Sequence, residues 1–507
     1  MKKLDIGVIV TTLIIVTISC SLAFFAARVV GEPKDINLVA KNVAITFNDT
    51  SIIANGVVSP GWNTTKTFTI TNNSKEEYKY NISIKDLINT FVTEGYLQYK
   101  ITSTNGYNMT EYKDIPKSSA SKDTILAYSV SIPVGVTQSY TIEFKYANDE
   151  SIDQSDDMGK KLSGTLFITE GTEEPVTLLS QILKDNPTRS TRSNNNNGTN
   201  DFATTLTTTT TGTLFTSTES ITGITDTPKE VYYYAGNTTN NWVKLGGYYW
   251  RIIRTNHDSS IRLLYVGTSH DTTTGNIGTS LFNQNYNSPK YVGYKYGEDT
   301  SLDTIRNNTT DSTIKTTIDT WYQNNLTNYT KYLSTSAVYC NDRSEGTGQT
   351  YSASVKFNFA PYYRMDYDTN GAKANPSYNC TNIKDAFSVD NTSAKLDYPV
   401  SLMTADEIAF AGGVAFQNMS TPYAWFISNS AGTQVSTDWW SLSPINWNGS
   451  SAGVWDWNSG SANLNGGGVN NTNAVRPAIS LKSCIKYSTG NGTYETPYEI
   501  VETSSGC

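Results

Sequence analysis

Histidine is almost missing from this chain: His257 and His270 are the only two in 507 residues. That scarcity excludes most chemistry built on imidazole, from His-rich metal centres to Ser/His and Cys/His hydrolases. Charge is scarce too, with 17% Asp, Glu, Lys and Arg, 38 basic against 46 acidic residues and a net charge of −8. There is no Lys/Arg run, so nucleic acid is excluded as the main partner. Hydrophobic residues reach only 37%, and Asn, Thr, Ser, Gly and 33 Tyr fill the space they leave. The profile is not that of an average cytosolic enzyme, and the length argues for two or three domains.

The N-terminus speaks for export. Lys2 and Lys3 precede an apolar run from Ile6 to Ala27, with Cys20 inside it and Arg28 behind it. At 1.5 Å per residue such a run covers roughly 30 Å, enough to cross a bilayer. The leading lysines favour a cytoplasmic N-terminus with everything after Gly31 outside. A cleaved signal is the alternative, with Ser21-Leu22-Ala23 supplying small residues, but the run exceeds a usual signal core. Thr17-Ile18-Ser19-Cys20 is a poor lipidation site because its first position is not a branched aliphatic. Residues 1–30 are therefore expected to form a membrane anchor or signal segment. The protein would be single-pass in the cell membrane with its C-terminal region extracellular, or secreted if the segment is cleaved.

Cys340, Cys380, Cys484 and Cys507 are an even set on the exported side, where disulfides persist. Of three connectivities, Cys340 with Cys380 and Cys484 with Cys507 closes the local loops. A closed loop of about 24 residues contributes roughly 3 kcal/mol. No C-x-x-C knuckle supports zinc.

Residues 34–173 read as an antiparallel β-sandwich. Val43–Phe47, Thr65–Ile70, Tyr78–Ile84, Leu97–Ile101, Leu126–Ile132, Ser139–Tyr146 and Leu162–Thr169 are strand-length segments separated by turn residues such as Asn48-Asp49 and Asn72-Asn73. Asp156-Asp157 fits a solvated turn. Ser59-Pro60-Gly61-Trp62 followed by Thr67-Phe68-Thr69-Ile70-Thr71-Asn72 resembles the immunoglobulin-like modules of bacterial surface and matrix proteins.

Residues 174–228 read as a short helix, Val176 to Leu183, ended by Pro187, and then a linker. The linker holds the Asn194–Asn197 and Thr207–Thr211 runs and has too few apolar residues to order itself. Residues 229–507 read as an α+β domain. Asn241–Lys244, Tyr248–Arg254 and Ile261–Val266 are strands. Ser312–Asn325 has helical spacing with Ser312 as N-cap. Thr404-Ala405-Asp406-Glu407 is a capping box whose helix ends at Gly412-Gly413.

Strands, two helices, a loop-rich region and a returning strand make the order of a C-type-lectin-like domain. Leu402–Glu407 followed by Ala411-Gly412-Gly413 resembles the second-helix signature of the formylglycine-generating, sulfatase-modifying branch of that superfamily. Trp439-Trp440-Ser441-Leu442-Ser443-Pro444 resembles the tryptophan-pair motif of bacterial surface members, and Val475-Arg476-Pro477-Ala478 the arginine segment that closes the fold. The departures limit what the resemblance implies. Leu442 stands where an arginine often precedes Ser-Pro. No cysteine lies between Trp439 and Arg476, so the formylglycine-generating activity is not expected. Trp447-Asn448-Gly449 and Trp457-Asn458-Ser459 replace the calcium-binding triplets, so no metal and no cofactor is expected.

The stretch Trp439 to Asn473 is the candidate site. It carries Trp439, Trp440, Trp447, Trp455 and Trp457 among Asn446, Asn448, Asn458, Asn463, Asn465 and Gly466-Gly467-Gly468. Aromatic faces stack on sugars or clamp peptides, and Asn both donates and accepts hydrogen bonds. Trp440, Trp447, Trp455, Trp457, Asn448, Asn458 and Arg476 are the candidate ligand contacts. The competing expectation is core packing: adjacent Trp439 and Trp440 would point to opposite faces of a strand, and Arg476 would pair with Asp438 or Glu407. Glu407 is accounted for by the capping box, Asp406 by the helix dipole, and both histidines fit exposed turns. The expectation is a non-enzymatic, membrane-anchored extracellular binding protein, adhesin-like, recognising a surface glycan or protein through its C-terminal domain. The alternative is an envelope or matrix component that self-associates through the sandwich edges.

Overall fold

A computed structural model describes residues 58–93, 95–192, 202, 211–365, 374–418, 424–432, 437–503 and 506–507, with backbone alone for the strands at 26–29, 36–40, 43–49 and 56–57. The chain is mainly β and divides into two compact units, Met1–Glu174 and Pro175–Cys507. The expected membrane span lies outside the described residues except for Ala26 and Ala27, which open the strand Ala26–Val29. Among the described residues no helix is long and apolar enough to cross a membrane.

The first unit is a sandwich of two sheets. One runs in the order Gly56–Val57, Ala26–Val29, Leu162–Glu170, Tyr78–Asn89, Ser118–Ile132; the other Ile36–Ala40, Val43–Asp49, Asn63–Asn72, Thr137–Tyr146, Leu97–Ser103, Lys113–Asp114. Alternation along each strand sends one set of side chains inward. Phe68, Ile70, Ile101, Ile142 and Phe144 from the second sheet meet Tyr80, Ile82, Ile84, Leu166 and Ile168 from the first in one core. Tyr80 crosses that core: its hydroxyl donates to Gln138 Oε1 at 2.6 Å and meets the Tyr140 hydroxyl at 2.6 Å. The described strands within 34–173 pair antiparallel, as expected, and Ala26–Val29 joins Leu162–Glu170 in parallel. One expectation is corrected. Asp157 is buried rather than solvated: its carboxylate accepts from the Val92 and Thr93 amides and from the Tyr146 hydroxyl, tying two loops to a core strand.

The second unit begins well before residue 229. The helix Leu178–Asp185 buries Leu178 and Ile182 in the core of this unit. Most of the expected linker's described part is a hairpin, Thr213–Ile221 with Thr225–Tyr233, inside a ten-stranded sheet. Leu214, Phe215, Glu219 and Ile221 are buried along its first strand. Phe215, Glu219 and Ile221 keep a period of two, which the Thr-rich composition of the segment conceals; the Asn194–Asn197 and Thr207–Thr210 runs lie outside the described residues. The sheet continues through Tyr248–Thr255, Trp242–Leu245, Tyr498–Ile500 and Tyr487–Thr489, with Ile261–Gly267, Pro477–Leu481 and Val400–Leu402 added from Tyr248–Thr255 outward. Parallel pairing of Val243 with Tyr498 brings the two ends of the expected C-terminal domain together.

Both expected helices form where their caps place them. Ser312 Oγ accepts from the Lys315 amide at the head of Thr313–Asn325. The Thr404 hydroxyl accepts from the Glu407 amide while Glu407 reaches back to the Thr404 amide, and Gly412 ends Ala405–Ala411 at φ 118°, a left-handed position that suits glycine. Cys340 bonds Cys380 and Cys484 bonds Cys507, the expected pairing.

Candidate functional site

A second, smaller sheet carries the tryptophan-rich stretch. Its order is Thr279–Leu281, Thr472–Ala474, Trp439–Trp447, Ala452–Asn458, Asn463–Gly468. The strand Trp439–Trp447 is buried along almost its whole length, so it is covered on both faces. This overturns the expected stacking surface. Trp440 is 0% exposed and its indole N–H donates to the Ser280 carbonyl at 2.9 Å. Trp447, Trp455 and Trp457 are buried as well, Trp457 edge-on to Phe426 at 4.9 Å. Trp439 and Trp440 are both inside, because both faces of their strand are core. The indole faces are closed to any ligand in solvent.

Arg476 is buried as expected of a structural residue, but its partners differ from the expected ones. It donates to the carbonyls of Phe426 at 3.1 Å and Tyr265 at 3.3 Å, and its guanidinium lies 5.1 Å from the Trp439 ring. Burial pulls its pKa down to about 9. Asn458 is half-buried, donating to Asp438 and accepting from the Ser461 amide. Asn448 is exposed and its side-chain oxygen builds a turn by accepting from the Ser450 and Ser451 amides.

What the stretch leaves open is a groove of about 260 Å³ in which Asn448 takes part. The register explains it. Gly453 pairs with Gly468 and Trp455 with Gly466, while Asn446 pairs with Gly453 on the other side. Residues directly opposite share a face, so a row across three strands carries Asn446 and two glycines and little else. A Cβ on Gly466 would strike Ile445 Cδ1 at 2.6 Å, and one on Gly453 would strike Asn446 Oδ1 at 2.7 Å. Tyr362 and Phe416 wall the groove, and Ser451 and Asn465 complete its polar lining. Phe416 is 45% exposed, packs 5.1 Å from the Trp455 ring, and is held at φ +57°, a left-handed conformation that a bulky residue adopts only under constraint. No residue of the lining is ionisable except Tyr362. The groove therefore offers hydrogen bonds and ring faces without charge.

The unit's charges are gathered inside instead. Glu407 accepts from Arg254 Nε at 2.8 Å and from Arg262 at 2.5 Å, and Glu219 accepts from Arg254 at 2.9 Å. Burial alone would raise the Glu219 pKa, but Arg254 and neighbouring donors hold it down at about 2. His257 belongs to this cluster and is not exposed as expected: its amide donates to Glu219, and its ring nitrogen lies 3.5 Å from the same carboxylate. Arg364 bonds both oxygens of Asp406 and reaches Asp342 at 2.7 Å, so Asp406 serves more than the helix dipole. The space among these groups is about 20 Å³, room for roughly one water. Paired and closed, the cluster fixes the hairpin, the capped helix and the central strands together. Its sequence signal was Arg254 and Arg262 in strands otherwise rich in apolar residues.

Among the described residues one group of carboxylates has metal-ligand spacing, Asp311, Asp319 and Asp397. The Lys315 ammonium sits among them, at 3.1, 2.5 and 2.6 Å, and already supplies the cation. His270 bonds Ser430 through Nδ1 at 2.6 Å and stands edge-on to Tyr249, away from these clusters.

No known protein family matches the sequence, and no curated protein matches it. A solved structure described as "AvmM Catalyzes Macrocyclization in Alchivemycin A Biosynthesis" is similar at 11% identity over 29% of this chain and 99% of that chain, with a TM-score of 0.16. At that score the likeness carries no argument about fold or activity.

Proposed function

We propose that this is an exported, membrane-anchored surface protein whose second unit, lectin-like in its order of elements, binds a neutral glycan or peptide. The observation that carries the reading is the uncharged groove of Tyr362, Phe416, Asn446, Asn448, Asn465 and the glycine strand. Such a site favours ligands that offer hydrogen-bonding groups and an apolar face without net charge. The apolar run behind Lys2 and Lys3 and two disulfides support an extracellular setting for it. The competing reading, self-association through the sandwich, is weakened by its edges. Lys113–Asp114 is two residues long, and Ser118–Ile132 is broken by several register shifts where it pairs with its neighbour.

The test is binding of the full chain, in detergent, to panels of neutral oligosaccharides and of linear peptides. Phe416→Ala and Tyr362→Ala should each weaken the captured ligand by roughly tenfold, as loss of an aromatic anchor does, with the circular dichroism unchanged. Binding indifferent to both substitutions would reject the groove.

A further inference from the structure

The strand Asn463–Gly468 is the last of its sheet, so one row of its backbone groups points away from Ala452–Asn458. Leu464 identifies that row. Its N–H donates to the Val414 carbonyl at 2.9 Å and its C=O accepts from the Phe416 amide at 2.9 Å, with Ala415 opposite in a parallel bridge. Backbone groups alternate from side to side along a strand. Gly466 and Gly468 therefore face the same way as Leu464, and Gly467 turns toward Val454.

The parallel partner stops at Phe416, where the positive φ swings the chain off the edge. A continuing strand would have offered the Phe416 carbonyl to the Gly466 amide. Asn465 Oδ1 takes that amide instead, at 2.9 Å. At the far end the Gly468 carbonyl accepts from the Asn471 amide at 2.8 Å. The outward groups that follow are the Gly466 carbonyl and the Gly468 amide, on two residues that border the groove. An acceptor and, two residues on, a donor are what one residue of a parallel strand engages with its own N–H and C=O.

We propose that this edge captures an extended, uncharged peptide as an added parallel strand, with one peptide residue opposite Gly467 and a neighbouring side chain against Phe416 and Tyr362. This rests on the groove reading and narrows its ligand from neutral molecules in general to peptide. Val414–Phe416 shows that this edge accepts a parallel strand, and the three glycines carry none of the charges or prolines that protect edges from pairing. The tryptophans are buried, so the ring surface left is that of Phe416 and Tyr362, beside a row of backbone groups that only another backbone matches.

The experiment selects binders to the full chain from a displayed library of random linear peptides. The best is then remade with a single N-methyl group at each position in turn. Gly468→Pro removes the outward donor without touching a bond to Ala452–Asn458; Gly468→Ala keeps it. We expect Gly468→Pro, and N-methylation at one central position, each to weaken binding by at least about tenfold, the scale of a lost hydrogen bond in a closed site, and Gly468→Ala to change it by less than about threefold. A peptide insensitive to both Gly468→Pro and N-methylation, yet weakened by Phe416→Ala, overturns the added strand and leaves the groove reading standing. Peptides untouched by any of these changes overturn both. A library that yields no binder, or an oligosaccharide bound equally by wild type and Gly468→Pro, also overturns the added strand.

Discussion

The two units solve the same problem, a mainly β structure with little charge, in opposite ways. In the first, each sheet has one inner and one outer face, and the core is made by alternation alone. In the second, strands such as Trp439–Trp447 and Ile261–Gly267 are covered on both faces, ions are buried in balanced clusters, and two disulfides close loops. The difference teaches where a polar-aromatic composition puts its function. When both faces of a sheet are covered, the large rings become core, and the surface left for a ligand is made of asparagine, glycine and a few rings from neighbouring loops.

The contrast is broken most severely at Glu407. Glu407→Ala leaves Arg254 and Arg262 buried without a shared counter-charge, and the second unit should lose about 3–5 kcal/mol while the first is unaffected. Hydrogen exchange resolved along the chain reads the two units separately. Replacing Cys340 and Cys380 together by serine, which opens a link spanning 40 residues, should lower the same unit by about 3–4 kcal/mol. Dithiothreitol, which opens Cys484–Cys507 as well, should cause a larger loss, again in the second unit alone.

A titration sharpens the comparison next. Burial, with Asp438 nearby, pushes the Asp456 carboxyl up to about 6, and burial likewise raises Asp319 to about 6. A carboxyl whose folded pKa is raised stabilises the fold fully below its unfolded value near 4 and loses that contribution as pH rises through about 6. Glu219, held at about 2, works oppositely: its contribution is present above about 4.5 and is lost as pH falls toward 2. The second unit should therefore be most stable near about pH 4 on denaturant midpoints. Asp456→Asn should stabilise it by about 1–3 kcal/mol at pH 8 and by almost nothing at pH 4. Stabilisation of equal size at both pH values would remove ionisation as its cause.

Seven strands of the sandwich were legible because alternation survives wherever one face meets water; Thr65–Ile70 and Ser139–Tyr146 each fall inside the strands that form, while the short strands Gly56–Val57 and Lys113–Asp114 carry too few residues to show a period. In the second unit the capped helices and the disulfide pairing were equally plain, since caps and local loops are written in neighbouring residues. The site was half legible. Asn448 and Gly466–Gly468 lie in the groove, but the four candidate tryptophans are buried, because single-face alternation says nothing of a strand buried twice. Tyr362 comes from the helix Ala360–Met365 and Phe416 from the segment after Ala405–Ala411, both far along the chain. Phe416 had no sequence signal, since its exposure follows from a backbone angle.

Two smaller effects complete the contrast. Asp157→Asn should weaken the first unit by about 1–2 kcal/mol and leave the second unchanged, as loss of a carboxylate that accepts two amides and a hydroxyl requires. Phe416→Gly should raise the stability of the second unit by up to about 1 kcal/mol through relief of the left-handed backbone, and weaken ligand binding at the same time. A gain in stability with binding intact would separate the strain from the site.

The most direct measurement is hydrogen exchange of the full chain with and without the tightest ligand from the panels. The expected result is slowed exchange confined to residues 446–453 and 464–468, to the helix Ala360–Met365 and to the segment at Phe416, with the Gly468 amide among the protected groups. Protection confined to the sandwich would contradict the account.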